Sequence, residues 1–498
     1  MLSHSTSRSH RPAAAVAVAT LCVLAACSTP APEEALPPGL RLVSTSALTD
    51  LDQREEVVTA DGIATTARYP FLPGAHPLTL EIRTTMAELE TAFLSNGSKD
   101  ATLVQETHLL AASADVMGAR LVAQEKNGDS GRSNATTRWY DGRTKLALPW
   151  TALLDGEPAI SELGDRVARL LISEHDVASD ALPAGLSAPS SPASATPSRA
   201  ASPSPSPVDA TVAWADADKH KGSPLEDLGF TAAGDLVVSL SPGEVAGSDD
   251  VQITVPQSAG LLSEFGLRAQ KSATGKAVLP VPGKEKAPTH TMDCSRVACV
   301  ALTFDDGPGP DTALLLDHLA AYSAPATFYV LGELVADNKD VLRRATREGH
   351  ELGNHTWKHD DLTRLSGKAV AADIARTSKA VREATGADTP TLRPPYGAHD
   401  ANAQKHVGLP MIMWDVDTLD WQHRDSAKTV KSAIADTTPG SVVLFHDIHR
   451  PTVDAIPQVL RGLRAKGYHF VTVSHLFGGQ DLAPGTAYNR LDRPTPEG

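Results

Sequence analysis

Residues 297–308 read VACVALTFDDGP, and this stretch decides how the rest of the chain is read. It opens as an apolar run with β-branched residues, which predicts a buried strand. Asp305 and Asp306 end the run, and Gly307 and Pro308 stop the strand and turn the chain. Two carboxylates are therefore held at the C-terminal edge of a strand. Side chains alternate along a strand, so the two acids should face different partners. The bland alternative is a solvated turn, because DDGP is good turn chemistry. The residues downstream of Pro308 argue against it.

Beyond residue 297 the chain alternates strand and helix. Strands are expected at 297–304, 326–330, 350–353, 391–393, 410–416, 441–445 and 468–473. Helices lie between most of them. One spans 366–385, with Ser366 as N-cap and Gly386 at its end, and another spans 452–466 before Gly467. Short apolar strands covered by helices are parallel strands. Seven such units predict a parallel barrel somewhat shorter than the usual eight-unit one. In such barrels chemistry sits at the C-terminal strand ends. Asp305 and Asp306 end the first strand, and His355 and His359 follow the third, in NHTWKH. Arg393 ends the fourth, in RPPYG, and Asp417 follows the fifth, in WDVDTLDW. His446 ends the sixth, in LFHDIH. Five strands that each deliver a reactive residue are hard to explain as packing.

His355 and His359 are four apart, so on a helical turn they share a face. For a lone His pair, a capped or core position is the ordinary alternative. One Asp with two His is a usual ligand set for a borderline divalent metal, and Asp306 stands in the same mouth. A water acidified by such a metal needs a base beside it. Asp305 can serve, and His446 across the mouth can protonate a leaving group.

TFDDGP, HTWKH, RPPYG, DTLDW and LFH, in that order, resemble the five motifs of the polysaccharide deacetylase family, the NodB-like carbohydrate esterases of family 4. The resemblance runs over residues 294–478. It implies an α/β chain whose catalytic domain, 291–480, is a distorted (β/α)7 barrel. It implies Asp305 as general base, with Arg393 orienting it. Asp306, His355 and His359 would bind one divalent metal, zinc, with cobalt or nickel as alternatives. The backbone N–H of Tyr396 would help hold the oxyanion, and Trp421 would wall the groove. Leu444 would line a pocket for the acetyl methyl group. His446 would be the general acid, supported by Asp417, with Asp420 competing for that role. His449 lies just past the last motif, and its contact with substrate is left open.

The 498 residues carry a formal net charge of −15, which argues against nucleic acid as a partner. At this length, with 41% hydrophobic residues, two or more domains are expected. Arg8 and Arg11 precede an apolar run at 13–26. A bilayer span needs about 20 apolar residues, so this run fits a signal peptide instead. Leu24-Ala25-Ala26-Cys27 resembles a bacterial lipobox. That implies cleavage before Cys27, a lipid on its sulfur, and anchoring at the outer face of the cell membrane; plain secretion is the alternative. Residues 1–27 are then the signal and 28–40 a tether. Of the four cysteines, Cys22 leaves with the signal and lipidation uses Cys27. Cys294 and Cys299 remain, and no second Cys or His pair lies nearby to complete a structural zinc site. A small disulfide loop is the expected outcome in an extracytoplasmic compartment.

Residues 41–282 read as a smaller α+β accessory domain. Strand-like alternation occurs at 68–71 and 78–83, and helical spacing at 86–94 and 159–173. Residues 139–142 look like a strand running into a turn. Further strands are expected at 235–240 and 250–255, and a short helix at 260–265. A Ser/Pro/Ala-rich insertion at 183–207 cannot bury a core and should be disordered. Residues 283–290 read as a linker and 481–498 as a tail. The order of a helix at 160–171, then GDLVVSLSPGEVAGSDDVQITVP, then LLSEFG resembles a small extracytoplasmic domain. That domain occurs beside some cell-wall deacetylases and in the ectodomain of a lysozyme-sensing anti-sigma factor. The resemblance implies a binding or spacing module.

The reading is a monomeric, lipid-anchored, metal-dependent hydrolase that removes N-acetyl groups from N-acetylglucosamine of peptidoglycan. Location, not residues, favours this cell-wall glycan over chitin oligomers or acetylxylan. The competing class is a non-catalytic surface receptor for a wall component or a lysozyme-like ligand. Intact metal and acid/base positions argue against it.

Overall fold

The computed structural model describes residues 39–44, 48, 51–60, 62–72, 76–96, 100–128, 130–187, 209–245, 248–278, 292–478 and 480–492. The expected signal, Cys27 and the 283–290 linker lie outside them. So do all but the end of the tether and most of the 183–207 insertion. The described residues belong to one compact unit.

The first region is built on a six-stranded sheet of β1 (Asp52–Ala60), β2 (Ile63–Phe71), β3 (Thr102–Ala112), β4 (Val116–Asn127), β5 (Ser130–Asp141) and β6 (Leu146–Pro149), paired in that order. All pairs are antiparallel except β2 with β3. A parallel pair needs a crossover, and α1 (Pro77–Asn96) provides it. The alternation at 78–83 is thus helix, not strand. Leu78, Ile82, Met86 and Phe93 are all buried, and the first three recur every four residues. Pro77 is the first helical residue, where its missing N–H costs nothing. α2 (Gly156–Glu174) and α3 (Ala210–Lys219) follow, with a three-stranded antiparallel sheet of β7 (Leu228–Phe230), β8 (Leu236–Leu240) and β9 (Val251–Val255), then α4 (Glu264–Thr274). Leu163 and Val167 of α2 share one core with Ala213, Phe230 and Val238, so residues on both sides of the insertion pack together. At its start, Leu186 also packs against this core.

The second region opens at β10 (Cys299–Asp305), whose seven residues are all buried. Cys294 and Cys299 are disulfide-bonded at its entry. The chain continues through α5 (Thr312–Ala320), β11 (Thr327–Val330), α6 (Lys339–Arg347), β12 (Glu351–Asn354), α7 (Gly367–Thr385) and α8 (Ala401–His406). Next come β13 (Met411–Ile412), β14 (Val416–Asp417), α9 (Asp420–His423), α10 (Ser426–Asp436) and β15 (Val442–His446). α11 (Arg450–Ala465), β16 (His469–Val471), α12 (Val473–Leu476) and β17 (Ala487–Tyr488) complete it. The Ser366 side chain caps α7, and Gly386 ends it in a left-handed conformation.

The parallel sheet runs β12-β11-β10-β15-β14, with β16 on the lower half of β10. Single parallel bridges from Asn354 to Leu392 and from Leu392 to Met411 carry it on to β13. Among the described residues β13 and β14 do not pair, so no closed barrel is formed. The physical reason lies in two expected strands. That at 391–393 shrinks to Leu392, because Pro394 and Pro395 follow and offer no N–H to a ladder. That at 410–416 breaks into β13 and β14. The expected tail also changes: β17 pairs in parallel with β13, and Leu491 donates its N–H to Gly440. Residues 480–492 therefore belong to this fold.

Alternation along β10 separates packing from chemistry. Phe304 stacks on Phe328 and Phe445 of the neighbouring strands, at 5.3 and 5.4 Å between ring centres. Removing such a buried ring costs about 3–5 kcal/mol. Thr303 and Asp305 point the other way. The two regions meet along α1 and β1. Val58 enters the second region's core, and Arg464 bonds Glu90 and Thr65. His469 meets Thr91 at 3.0 Å, and Arg296 donates to Glu81 at 2.6 Å.

Candidate active site

Asp305 is the last residue of β10, and its register partner on β15 is His446. Parallel neighbours lie about 4.8 Å apart, so the expected base and acid start side by side from adjacent strands. Asp305 is buried, and its Oδ1 accepts a 2.8 Å bond from Arg393 Nη1. Arg393 is fully buried. Its other donors go to Thr303 Oγ1 at 2.7 Å, Ile412 O at 3.0 Å and Met413 O at 2.8 Å. The guanidinium also lies over the Tyr329 ring, 4.4 Å from its centre. A buried charge is tolerable only with this degree of pairing. Thr303 was not legible in the sequence; its place two residues before Asp305 on the same strand face is the signal.

Asp306 leaves the strand with φ 69°, a left-handed conformation uncommon outside glycine. This turn brings it to the His355 imidazole that Asp305 also approaches, and to His359. Asp306 Oδ1 lies 3.3 Å from His355 Nε2 and 3.3 Å from His359 Nε2. Asp305 Oδ2 is 3.9 Å from His355 Nε2. The segment 355–359 is a turn rather than the helical turn expected, and Thr356 and His359 both take positive φ. Asn354 holds it by donating to Ile374 O and Ser378 Oγ and accepting from Thr356 N–H. His355 Nδ1 is 2.7 Å from the Arg393 carbonyl, which can only accept, so Nδ1 carries a proton and Nε2 is the ring nitrogen turned toward Asp306.

These three side chains fit a metal. Asp306 Oδ1 is buried and has no hydrogen-bond partner among the described residues, although two ring nitrogens lie near it. Two ligands about 2.1 Å from one tetrahedral ion sit roughly 3.4 Å apart, close to the separations seen. Burial pushes the Asp306 carboxyl up, but His355 and His359 outweigh this and hold it near 2. It is a carboxylate at neutral pH, as a ligand must be.

His446 Nδ1 is 2.9 Å from Asp420 Oδ1, and the His446 N–H donates to Asp420 Oδ2. Thr452 Oγ1 also donates to Asp420 Oδ2. Asp417, expected in this role, instead accepts the Leu419 N–H. The one-turn helix α9 explains the correction. Leu419 takes φ 55° and turns the chain so that Asp420 is fully buried beneath His446. Burial pushes the His446 imidazole down, but the bond and charge of Asp420, with Asp305 and Asp306 nearby, raise it to about 9.

The rest of the mouth is apolar and open. Tyr396, at φ 60°, sets its exposed ring edge-on to His359, 4.5 Å between ring centres. Trp421 is half exposed. Leu444 is buried two residues before His446 on the same face of β15. His449 lies 6.1 Å from His446, ring centre to ring centre.

A profile of the family described as polysaccharide deacetylase matches residues 293–411. The peptidoglycan-N-acetylglucosamine deacetylase PgdA of Listeria monocytogenes is 41% identical over 212 residues, which is 42% of this chain and 44% of that protein. The peptidoglycan-N-acetylmuramic acid deacetylase PdaC of Bacillus subtilis is 37% identical over 203 residues, 39% of this chain and 43% of that protein. A chitooligosaccharide deacetylase of a Bradyrhizobium species is 36% identical over 195 residues, 35% of this chain and 89% of that protein. The chain belongs to the polysaccharide deacetylase family.

The chain spans less than half the length of the Listeria and Bacillus relatives. As a polysaccharide deacetylase family member it joins two halves of an acid–base pair around one candidate metal centre. A carboxylate held by its back oxygen can take a proton. An imidazole held above neutral pH can give one. Three ligand atoms within 4.8 Å of one another can hold a cation between them.

Proposed function

We propose that the protein removes N-acetyl groups from N-acetylglucosamine residues of cell-wall peptidoglycan. The observation that carries this is the meeting in one mouth of Asp305 on Arg393, His446 on Asp420, and Asp306 with His355 and His359. A divalent ion bound there, zinc in this reading, would supply Lewis acidity and acidify the attacking water. Asp305 accepts a proton from the attacking water through its second oxygen, while Arg393 holds the carboxylate in orientation. The Tyr396 N–H is the proposed donor to the developing oxyanion. His446 donates its Nε2 proton to the departing amine, because Nδ1 faces Asp420. Tyr396 and Trp421 offer open aromatic faces to sugar rings, and buried Leu444 suits the acetyl methyl group.

Supporting the wall glycan are the peptidoglycan deacetylases among the relatives and the signal-like N-terminus. Deacetylation of chitin oligomers or acetylxylan is the second reading, favoured by the chitooligosaccharide relative. The same proposal takes residues 28–40 as tether, 41–282 as an accessory domain and the second region as a (β/α)7 barrel variant. It takes the protein to be a monomer with Cys27 lipid-anchored outside the cell membrane.

Acetate release from peptidoglycan, chitin oligomers and acetylxylan, measured with added Zn²⁺, tests the activity. Fastest turnover on peptidoglycan is expected, and no release from any of the three would overturn the reading in favour of a receptor. Cys27→Ser should free the protein from the membrane fraction, and unchanged retention would refute the anchor.

A further inference from the structure

Asp447 is a second buried carboxylate beside the catalytic pair, and the acid–base chemistry gives it no role. It follows His446 directly and is fully buried. Its Oδ2 accepts a hydrogen bond from Thr312 Oγ1, and Thr312 Oγ1 accepts the Gly309 N–H at 2.8 Å. Its Oδ1 has no hydrogen-bond partner among the described residues. A buried, half-satisfied carboxyl is costly to keep. Burial pushes it up to about 7, against the Thr312 bond.

Its position suggests what the cost maintains. A Cβ on Gly307 would run into both carboxylate oxygens of Asp447, so the residue after Asp306 must be glycine and lies against this carboxyl. On the other side, the Gly307 carbonyl accepts the Leu331 N–H at 3.0 Å. The turn that carries Asp305 and Asp306 is clamped between the end of β11 and Asp447. Asp447 is itself covalently next to the acid. One side chain thus couples the loop of the base and metal ligand to the loop of the proton donor.

We propose that Asp447 is a positioning residue that sets the distance between Asp305 and His446, acting through Thr312 and the Gly307 turn. This rests on the deacetylase reading for its kinetic consequence but not for its geometry. Misplacement of catalytic groups by about 1 Å can cost on the order of 100-fold in rate.

The test uses the full-length, metal-loaded protein with Asp447→Ala and Asp447→Asn. Bound metal, kcat and KM on a soluble chitin oligomer, and the His446 imidazole titration by NMR are read together. Asp447→Ala should keep its metal and its KM, lose roughly 10–100-fold in kcat, and shift the His446 titration, which senses the distance to Asp305. Asp447→Asn keeps an acceptor for Thr312 and should restore kcat to within about threefold. A folded Asp447→Ala with parental kcat and an unmoved titration would overturn the proposal, as would Asp447→Asn behaving like the alanine variant. If the alanine variant does not fold, Thr312→Val and Thr312→Ser decide. Valine should lower kcat at constant KM and serine should not, and equal rates overturn the idea. Silence of the parent on every glycan sinks the deacetylase reading alone, because the titration shift still reports on Asp447.

Discussion

Among the described residues each region of the molecule holds a deeply buried arginine–carboxylate pair, and the two pairs are built differently. In the first region, Arg120 Nε reaches both oxygens of Asp227 at 2.8 and 2.9 Å, and Nη2 adds a third bond at 2.6 Å. Both carboxylate oxygens are occupied, and the pair ties the six-stranded sheet to the three-stranded one. In the second region, Arg393 gives Asp305 one bond, to Oδ1, and sends its remaining donors to Thr303 and two carbonyls. Asp305 Oδ2 faces His355 and the open mouth. A saturated pair can only hold. A half-saturated pair holds the carboxylate from behind and leaves an oxygen that can accept a proton.

The sharpest way to break this contrast is to remove the metal. Chelation should abolish turnover, Zn²⁺ or Co²⁺ should restore it, and the Arg120–Asp227 pair should not respond. Full activity of a preparation verified as metal-free would end the mechanism. Next in size is Asp305→Asn, which should retain metal and lose about 10²–10⁴-fold in kcat, as the loss of a general base does. Asp306→Asn should instead weaken metal binding, and metal analysis showing the reverse would exchange the two roles. Asp227→Ala should leave kcat per folded molecule alone but destabilise by about 3–5 kcal/mol, since Arg120 is left buried and unpaired. Denaturant unfolding reads this directly, and an unchanged midpoint would remove the structural role. The smallest effect is a displaced pH profile. The donor is the protonated His446, present below its pKa, so activity should fall as pH rises through about 9. Asp420→Asn removes the charge that raises it and should move that limb down by about one unit or more. Asp417→Asn should not, and a shift there would restore Asp417 to the supporting role.

Legibility differed between these regions for a physical reason. The second region's strands are short, apolar and punctuated by Gly and Pro, so 297–304, 326–330 and 441–445 could be placed within about two residues. Its ligand and acid residues stand at strand ends, where sequence position nearly equals spatial position. The first region misled at 78–83, where LTLEIR alternates for six residues inside a twenty-residue helix. Alternation over so short a window does not separate strand from helix; the crossover between parallel β2 and β3 does. Asp417 misled in the same way. Asp417 and Asp420 lie three residues apart in one motif, and the left-handed turn at Leu419 chooses between them.

The amino-acid sequence by itself determined the alternating α/β order of the second region, its family, the candidate ligands Asp306, His355 and His359, and the candidate base and acid Asp305 and His446. These follow from local pattern and from side-chain chemistry, which the fold does not alter. Only the tertiary structure decided that Asp420 carries the acid, that Arg393 leaves one oxygen of Asp305 free, and that the sheet stays open between β13 and β14. It also decided that residues 480–492 complete the sheet and that Asp447 stands behind Gly307. Each depends on a left-handed residue, a lost N–H or a contact between distant segments, and such features are set by how the whole chain packs.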